Sequence, residues 1–374
     1  MSDLRAAIVG YGLAGEVFHA PLIDAAPGIE VTTIVTGNPE RAERARAAYP
    51  NARILPDAER LWACADDHDL VVIAAPNAVH VSLARRAIDH RLPVVVDKPL
   101  ANDAGAARGL IAHAERAGTP LTVFHNRRWD SDQLTLRRLL DEGALGDVLR
   151  VESRMESWAA DGLATRWRLE DDAGTGGGIL LDLGAHLVDQ VLTLFGPVAT
   201  VYAELDRRAG GVVDEAFLAL RHRSGILSHL WAANAVVPGP RLRVRGTRAV
   251  FDQPHPDEQE AALVAGARPS PDALWGVPDR AHWGRLLTAD AEPRAAAAPF
   301  DRATDVPGTP ADGPLGAPVP AEPGGWDLFY PAVVSALLAG TPMPVDPREA
   351  VDTLRVLDAA RLSAAATRIV VLGG

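Results

Sequence analysis

The chain runs to 374 residues, too many for one ordinary hydrophobic core, and so predicts two domains. With 48% hydrophobic and 23% charged residues it has a globular composition, and its net charge of −12 argues against nucleic acid or an anionic membrane as main partner. One cysteine, Cys64, excludes an internal disulfide, and no apolar run approaches the roughly 20 residues of a membrane helix.

Met1-Ser2-Asp3 leads almost directly into a strand, which leaves no room for a signal peptide and predicts a cytoplasmic protein. In the first third, Arg5–Val9, Glu30–Val35, Asp69–Ala74, Pro93–Asp97 and Leu121–Phe124 read as strands. Between them Ala14–Ala26, Pro39–Ala48, Ala78–His90 and Asp103–Ala117 read as helices. The strands are runs of Ile and Val with little polar alternation, as a parallel sheet covered on both faces requires. Residues 1–124 therefore predict a doubly wound α/β domain.

After residue 125 the rhythm changes. A helix over Asp130–Glu142 leads to a strand at Val148–Glu156, a Gly-rich entry at Gly174–Gly178 and a helix over Ile179–Leu194. Val198–Leu205, Ala216–His222, Ile226–Ala233 and Leu242–Val244 then alternate as the strands of a mostly antiparallel sheet. Arg241-Leu242-Arg243-Val244-Arg245 fits one solvated strand face. Ala291–Gly325, rich in Pro, Ala, Gly and Asp, reads as an extended, poorly ordered insertion, and helices at Asp327–Ala339 and Pro347–Ala366 close the chain. Residues 125–374 thus form a second α/β domain.

Four segments carry chemistry. Gly10-Tyr11-Gly12-Leu13-Ala14-Gly15 is a G-x-G-x-x-G turn that follows a strand and opens a helix, the context of a dinucleotide fingerprint. The second strand ends Val35-Thr36-Gly37-Asn38-Pro39-Glu40-Arg41 with no acid at its tip, so no carboxylate repels a ribose 2′-phosphate. Thr36 and Asn38 could donate to that phosphate and Arg41 could reach it, which favours NADP over NAD; Arg41 reads equally as a solvated helix residue. Ala75-Pro76-Asn77 follows the strand Asp69–Ala74 at the edge where such sheets bind ligands, with Asn77 either a ligand or a helix cap. His80, one turn further, either lines the cleft or packs, with packing favoured.

Lys98 is the sole lysine against 36 arginines, and it stands at a strand end in Val96-Asp97-Lys98-Pro99. A compact ammonium does what a planar guanidinium does not. Asp182 and His186, spaced i and i+4, share a face of an otherwise apolar helix, with Asp189 one turn on. A buried His among carboxylates is costly unless used, and a neutral imidazole suits proton transfer. No Cys/His cluster has zinc spacing, so no metal is expected. His255 and His282 lie in Pro-rich or loop-like sequence without paired ligands.

Together, Gly10–Gly15, Ala75-Pro76-Asn77, Asp97-Lys98-Pro99 and Gly184-Ala185-His186 resemble the Gfo/Idh/MocA oxidoreductases, nearly over the whole chain. Finer segments, among them His125-Asn126-Arg127-Arg128-Trp129-Asp130 and Arg166-Trp167-Arg168, look like their NADP-dependent scyllo-inositol dehydrogenase branch. The resemblance implies a Rossmann domain, a second domain with a large open sheet, and homo-oligomers. It also implies that Lys98, Asp182 and His186 are catalytic and touch a small polyol or sugar. Asn126, Arg127, Asp130, Arg166 and Arg168 are then substrate-pocket candidates, each arginine equally readable as a structural ion pair. Asp97 replaces the usual Glu of the signature, and Leu181 stands where inositol-type members can carry Tyr. Two other readings remain: an NAD-dependent glycosidase on the same fold, and a non-catalytic dinucleotide-binding sugar sensor.

Overall fold

The computed structural model describes residues 3–158, 178–207, 212–234, 236–270, 275–288 and 316–373. Among them, β1 (Leu4–Val9), β2 (Ile29–Val35), β3 (Arg53–Leu55), β4 (Leu70–Ile73), β5 (Val94–Asp97) and β6 (Leu121–Phe124) form one parallel sheet. Its order, β3-β2-β1-β4-β5-β6, places the crossover point between β1 and β4. Helices α1 (Ala20–Asp24), α2 (Pro39–Ala48), α3 (Ala58–Trp62), α4 (His80–Asp89) and α5 (Ala104–Ala117) connect the strands. Burial on both faces explains the unbroken Val/Ile runs: β4 is fully buried along its length, and Val94, Val95 and Val96 of β5 are too.

The helix expected over Ala14–Ala26 is instead a wide π-type turn over Ala14–His19 that runs into α1. Strand β3, three residues long and half exposed, carries too little pattern to be read from sequence.

The second half supplies α6 (Ser131–Asp141), β7 (Val148–Ser157), α7 (Ile179–Asp182), α8 (Gly184–Phe195), β8 (Val198–Asp206), β9 (Glu215–His222), β10 (Leu227–Asn234), β11 (Leu242–Gly246) and β12 (Ala249–Gln253). It ends with α9 (Gln259–Val264), β13 (Arg285–Thr288), β14 (Ala317–Pro318), α10 (Phe329–Ala339), α11 (Pro347–Ala366) and β15 (Val370–Val371). These strands make a sheet in the order β14-β13-β12-β11-β7-β10-β9-β8-β15. It is antiparallel except for the β7–β10 pair. Helices α8 and α11 pack on each other and on the sheet, so each strand alternates a buried residue with a half-exposed one.

The expectation of one helix over Ile179–Leu194 needs correction: Leu183 breaks it into α7 and α8. The insertion was expected to be loose throughout. Its residues up to 315 lie outside the described part, but 316–325 are firmly held. Ala317 and Pro318 pair with β13, Val319 is buried, and Glu322 accepts from Arg138 Nε at 2.6 Å. Trp326, Phe329 and Tyr330 are then fully buried, with Phe124 of the first sheet wedged 4.8 Å from Phe329.

Candidate active site

The carboxyl ends of β1, β4, β5 and β6 face the end of the second sheet, and a cavity of about 570 Å³ lies between them. After β1 comes the glycine turn. Gly10 has φ +100°, and a Cβ there would stand 2.4 Å from the Ala74 carbonyl oxygen. A Cβ on Gly15 would stand 2.0 Å from the Gly10 oxygen, so strand, turn and helix touch backbone to backbone. Gly12 carries nothing between its backbone and the Arg41 guanidinium, whose Nη1 would sit 3.6 Å from a Cβ placed there. This shape fits a dinucleotide pyrophosphate. Tyr11 and Ala14 pack inward with the fold's core, while Leu13 is half exposed and lines the cavity.

At the end of β2, Asn38 caps α2: its side-chain oxygen accepts from the Arg41 N–H at 3.0 Å. The Thr36 hydroxyl accepts from the Asn38 N–H at 3.4 Å. Arg44 is occupied by Glu16 at 2.6 Å, whereas Arg41 leans over Gly12. After β4, Ala75-Pro76-Asn77 enters a short 3₁₀ turn over Asn77–Val79, and the cap position of α4 is Val79. Asn77 is therefore not the cap of that helix.

His80 is fully buried and does not reach the cavity. Its two ring nitrogens lie 2.7 Å from the Ala75 oxygen and 2.8 Å from the Pro99 oxygen, so the neutral ring sits between the loop after β4 and the loop that carries Lys98 and donates its one N–H to one of the two carbonyls. Burial pulls its pKa below that of a free histidine, against the Pro99 carbonyl and Asp97.

Lys98 follows β5 into the cavity, across a cis bond to Pro99. Its ammonium donates to Asp182 Oδ1 at 2.7 Å and to the Asp182 carbonyl oxygen at 3.0 Å. His186, from α8, also lines the cavity and is 5% exposed. Burial, then the positive charges of Lys98 and Arg127, push its pKa well below the usual histidine value, so the ring is neutral near pH 7. Lys98, Asp182 and His186 thus meet in one place although Leu183 interrupts the helix between the last two.

Asp97 also faces the cavity. His19 Nε2 stands 3.6 Å from its carboxylate, and His19 Nδ1 is 2.6 Å from the Tyr330 hydroxyl. Burial drives the Asp97 pKa up, but His19, Lys98 and His80 together outweigh it and hold the carboxyl below its ordinary value. Leu181 is fully buried and does not line the cavity, so its side chain offers the substrate nothing polar.

Beyond β6, Asn126 and Arg127 line the cavity as expected. Arg127 is tied to Glu260 and lies 5.7 Å over the Trp326 ring. Asp130 does not line it: fully buried, it accepts from the Trp326 indole N–H at 2.9 Å, and burial beside Asp257 raises its pKa. Asp189 is likewise turned away and clamped by Arg128 at 2.6 and 2.8 Å. Arg166 and Arg168, with Gly174–Gly177, lie outside the described residues.

Arg241 was expected on a solvated face and is the main surprise. It is 5% exposed at the cavity wall, donating to Ser153 at 2.6 Å and Gln190 at 2.9 Å, with Asp132 3.2 Å away. It precedes β11, so strand alternation does not govern it; the Pro238-Gly239-Pro240 turn just before it was the available signal. His255 also lines the cavity, and its neighbour His282 does have a carboxylate partner, Glu258. Among the described residues no group of three or more His, Cys, Asp or Glu is placed to hold a metal ion.

Behind the site His125 is 2% exposed, and burial lowers its pKa to about 4 despite Asp189 at 3.7 Å. His80 and His186 are depressed too. The unfolded chain takes up these protons near pH 6.5 while the folded chain refuses them, so stability is full above that pH and falls as pH drops toward 4. His125 alone accounts for about 3 kcal/mol of the loss. Melting temperatures from pH 8 to 4 should decline below 6.5; a flat profile would contradict the buried-histidine assignment.

Residues 4–125 match the family model described as an oxidoreductase family with NAD-binding Rossmann fold, and residues 133–252 match that of the GFO/IDH/MocA C-terminal domain. A Bacillus subtilis (strain 168) protein, scyllo-inositol 2-dehydrogenase (NADP(+)) IolW, is 30% identical, covering 100% of this chain and 97% of its own length. The oxidoreductase YdgJ of Escherichia coli (strain K12) is 33% identical over 96% of each chain. The solved structure of yvaA from Bacillus subtilis superposes with a TM-score of 0.86 at 27% identity, with both chains covered in full. Among the described residues no helix is long and apolar enough to cross a membrane.

Proposed function

This chain belongs to the Gfo/Idh/MocA family of NAD(P)-dependent oxidoreductases, and from that premise we propose that it moves a hydride between NADP(H) and a ring hydroxyl or ketone of a cyclitol or sugar. One observation carries the reading: an ammonium fixed at 2.7 Å by Asp182 beside a neutral, buried His186 in the cavity at the strand ends. When bound, the nicotinamide supplies the hydride acceptor or donor. His186 takes the hydroxyl proton as general base, its low pKa keeping it ready to accept near neutrality. Lys98 stabilises the negative charge that develops on the same oxygen. Asp182 aims that ammonium and receives a neighbouring hydroxyl. Asn126 and Arg127 bind further hydroxyls.

The division of labour is a dinucleotide domain over 1–124 and a substrate domain over 125–374, in a cytoplasmic homo-oligomer. Preference for NADP rests on the acid-free end of β2, with the Thr36 hydroxyl, the capping Asn38 and Arg41 around the ribose position. The relative named as NADP(+)-dependent supports it. Arg41→Ala should raise KM for NADP about tenfold, the worth of one charge-assisted phosphate contact, and leave KM for NAD unchanged. An equal effect on both would exclude that role for Arg41.

The overall reading is tested with a panel of inositols, aldoses and their derivatives against each cofactor, following reduced-nicotinamide absorbance. Turnover of a cyclitol or sugar with NADP is expected. Silence across the panel with both cofactors would refute the dehydrogenase.

A further inference from the structure

Arg241 is a costly residue to bury at the wall of a catalytic cavity, because a guanidinium has five N–H groups to satisfy. Its backbone is pinned first. Glu156 holds the Pro238-Gly239-Pro240 turn by accepting from the Gly239 N–H at 2.7 Å. The Arg241 N–H donates to the Pro254 oxygen at 3.2 Å, and its carbonyl accepts from the Arg154 N–H at 2.8 Å. The side chain is fixed next. Nη1 donates to the Ser153 hydroxyl at 2.6 Å and to the Arg154 oxygen at 3.2 Å, while Nη2 donates to Gln190 Oε1 at 2.9 Å. Nε faces Asp132 at 3.2 Å. The second N–H of Nη2 is left with no acceptor among the described residues, and Arg241 borders the cavity.

This donor is also fixed relative to the reacting groups. Gln190 stands one turn beyond His186 on α8, and its Nε2 donates to the Arg127 oxygen at 2.9 Å. One amide therefore ties Arg241, and the turn that carries Arg127, to the helix that carries the base. Burial and the charges of Lys98, Arg127 and His125 depress the His186 pKa, and Arg241 is near enough to add to them. A residue that served only to neutralise Asp132 would need neither the Gln190 bond nor a place on the cavity wall.

We infer that Arg241 is a specificity residue of this site, donating from Nη2 to a ring hydroxyl other than the one oxidised. The inference rests on the sugar or cyclitol dehydrogenase reading above. A buried donor matched to one hydroxyl discriminates strongly, because an analogue without that hydroxyl leaves the donor unpaired. The rigid plane of arginine serves Asp132, Gln190 and the substrate at once, which the single ammonium of lysine does not.

The purified full chain and its Arg241→Lys variant are compared with NADP on the best substrate of the inositol and aldose panel and on the monodeoxy derivatives of that substrate. Melting temperatures check the fold. In the wild type, deleting one particular hydroxyl away from the reacting carbon should lower kcat/KM about 10- to 100-fold, as loss of one charge-assisted hydrogen bond does. Arg241→Lys should lose a similar factor on the parent substrate yet match the wild type within about twofold on that one derivative, with KM for NADP unchanged. Equal slowing of the parent and every derivative, or a variant with wild-type kcat/KM, would overturn the inference and leave the dehydrogenase reading standing. If Arg241→Lys does not fold, Ser153→Ala replaces it, since it loosens the guanidinium and keeps the charge pair. A loss of about threefold confined to substrates bearing that hydroxyl is then expected, and a uniform loss or none overturns the inference. If the wild type oxidises nothing with NADP or NAD, the dehydrogenase reading falls, and saturation-transfer NMR of the same compounds decides. Binding weakened in the variant only for compounds bearing one hydroxyl upholds the role of Arg241; uniform weakening, no change or no binding overturns it.

Discussion

Lys98→Arg is expected to fold, to bind the dinucleotide and to lose roughly 100- to 1,000-fold in kcat, the range for removing one preorganised charge from a developing oxyanion. The guanidinium can still pair with Asp182, so the charge balance of a site whose two partners are only 16% and 14% exposed is preserved. What changes is shape. Arginine carries its charge on a wider plane and cannot place one compact donor where Lys98 Nζ sits, 2.7 Å from Oδ1 and 3.0 Å from the carbonyl oxygen of the same residue. The loss should fall on kcat, with cofactor affinity by fluorescence titration unchanged. Lys98→Met differs usefully: it removes both the charge and the donor that Lys98 brings to Asp182, so its kcat should fall at least as far as that of Lys98→Arg. A Lys98→Arg enzyme with wild-type turnover would make the single lysine a remnant of codon usage.

Replacing the imidazole tests the other half of the chemistry. His186→Asn should cost roughly 100- to 10,000-fold in kcat for alcohol oxidation, as loss of a positioned general base does. The pH profile separates this from a packing defect. In the wild type, oxidation requires neutral His186, so kcat/KM is full at neutrality and falls only as pH drops well below 6.5, through the depressed pKa. The variant should lack that acid limb. A variant that is slow but keeps the wild-type limb would assign the titration to another group.

How far these residues could be read in advance depends on what dictates each one. Strands buried on both faces must be continuous apolar runs, so β1, β2, β4, β5 and β6 stand out in the sequence. The glycine turn is equally plain because a Cβ on Gly15 or Gly10 would fall 2.0 or 2.4 Å from a backbone oxygen, which leaves no room for a side chain. The short strands β13, β14 and β15, two to four residues each, depend on their neighbours and carry no period of their own. Helical spacing brought Asp182 and His186 to notice, yet the break at Leu183 means that spacing alone does not fix their relation. Arg241 was hidden because a run of alternating arginines looks alike whether one member is buried or not; only Asp132, Ser153 and Gln190, distant in sequence, distinguish it. The His19–Tyr330 contact spans 311 positions and leaves no local trace. Asp130 sits in the same segment as Asn126 and Arg127, which reach the cavity, and its burial under Trp326 decides its place.

The central claim is net hydride transfer from a ring carbon to the nicotinamide, and isotope tracing addresses it most directly. A cyclitol or sugar turned over in the panel is prepared with deuterium at its ring carbinol carbons and incubated with NADP and the enzyme, and the reduced dinucleotide is analysed by mass spectrometry. One deuterium per reduced nicotinamide, with the matching ketone formed in equal amount, is the predicted result. Sugar released from a glycoside with no net reduction of the cofactor would contradict it and point to transient oxidation and elimination instead.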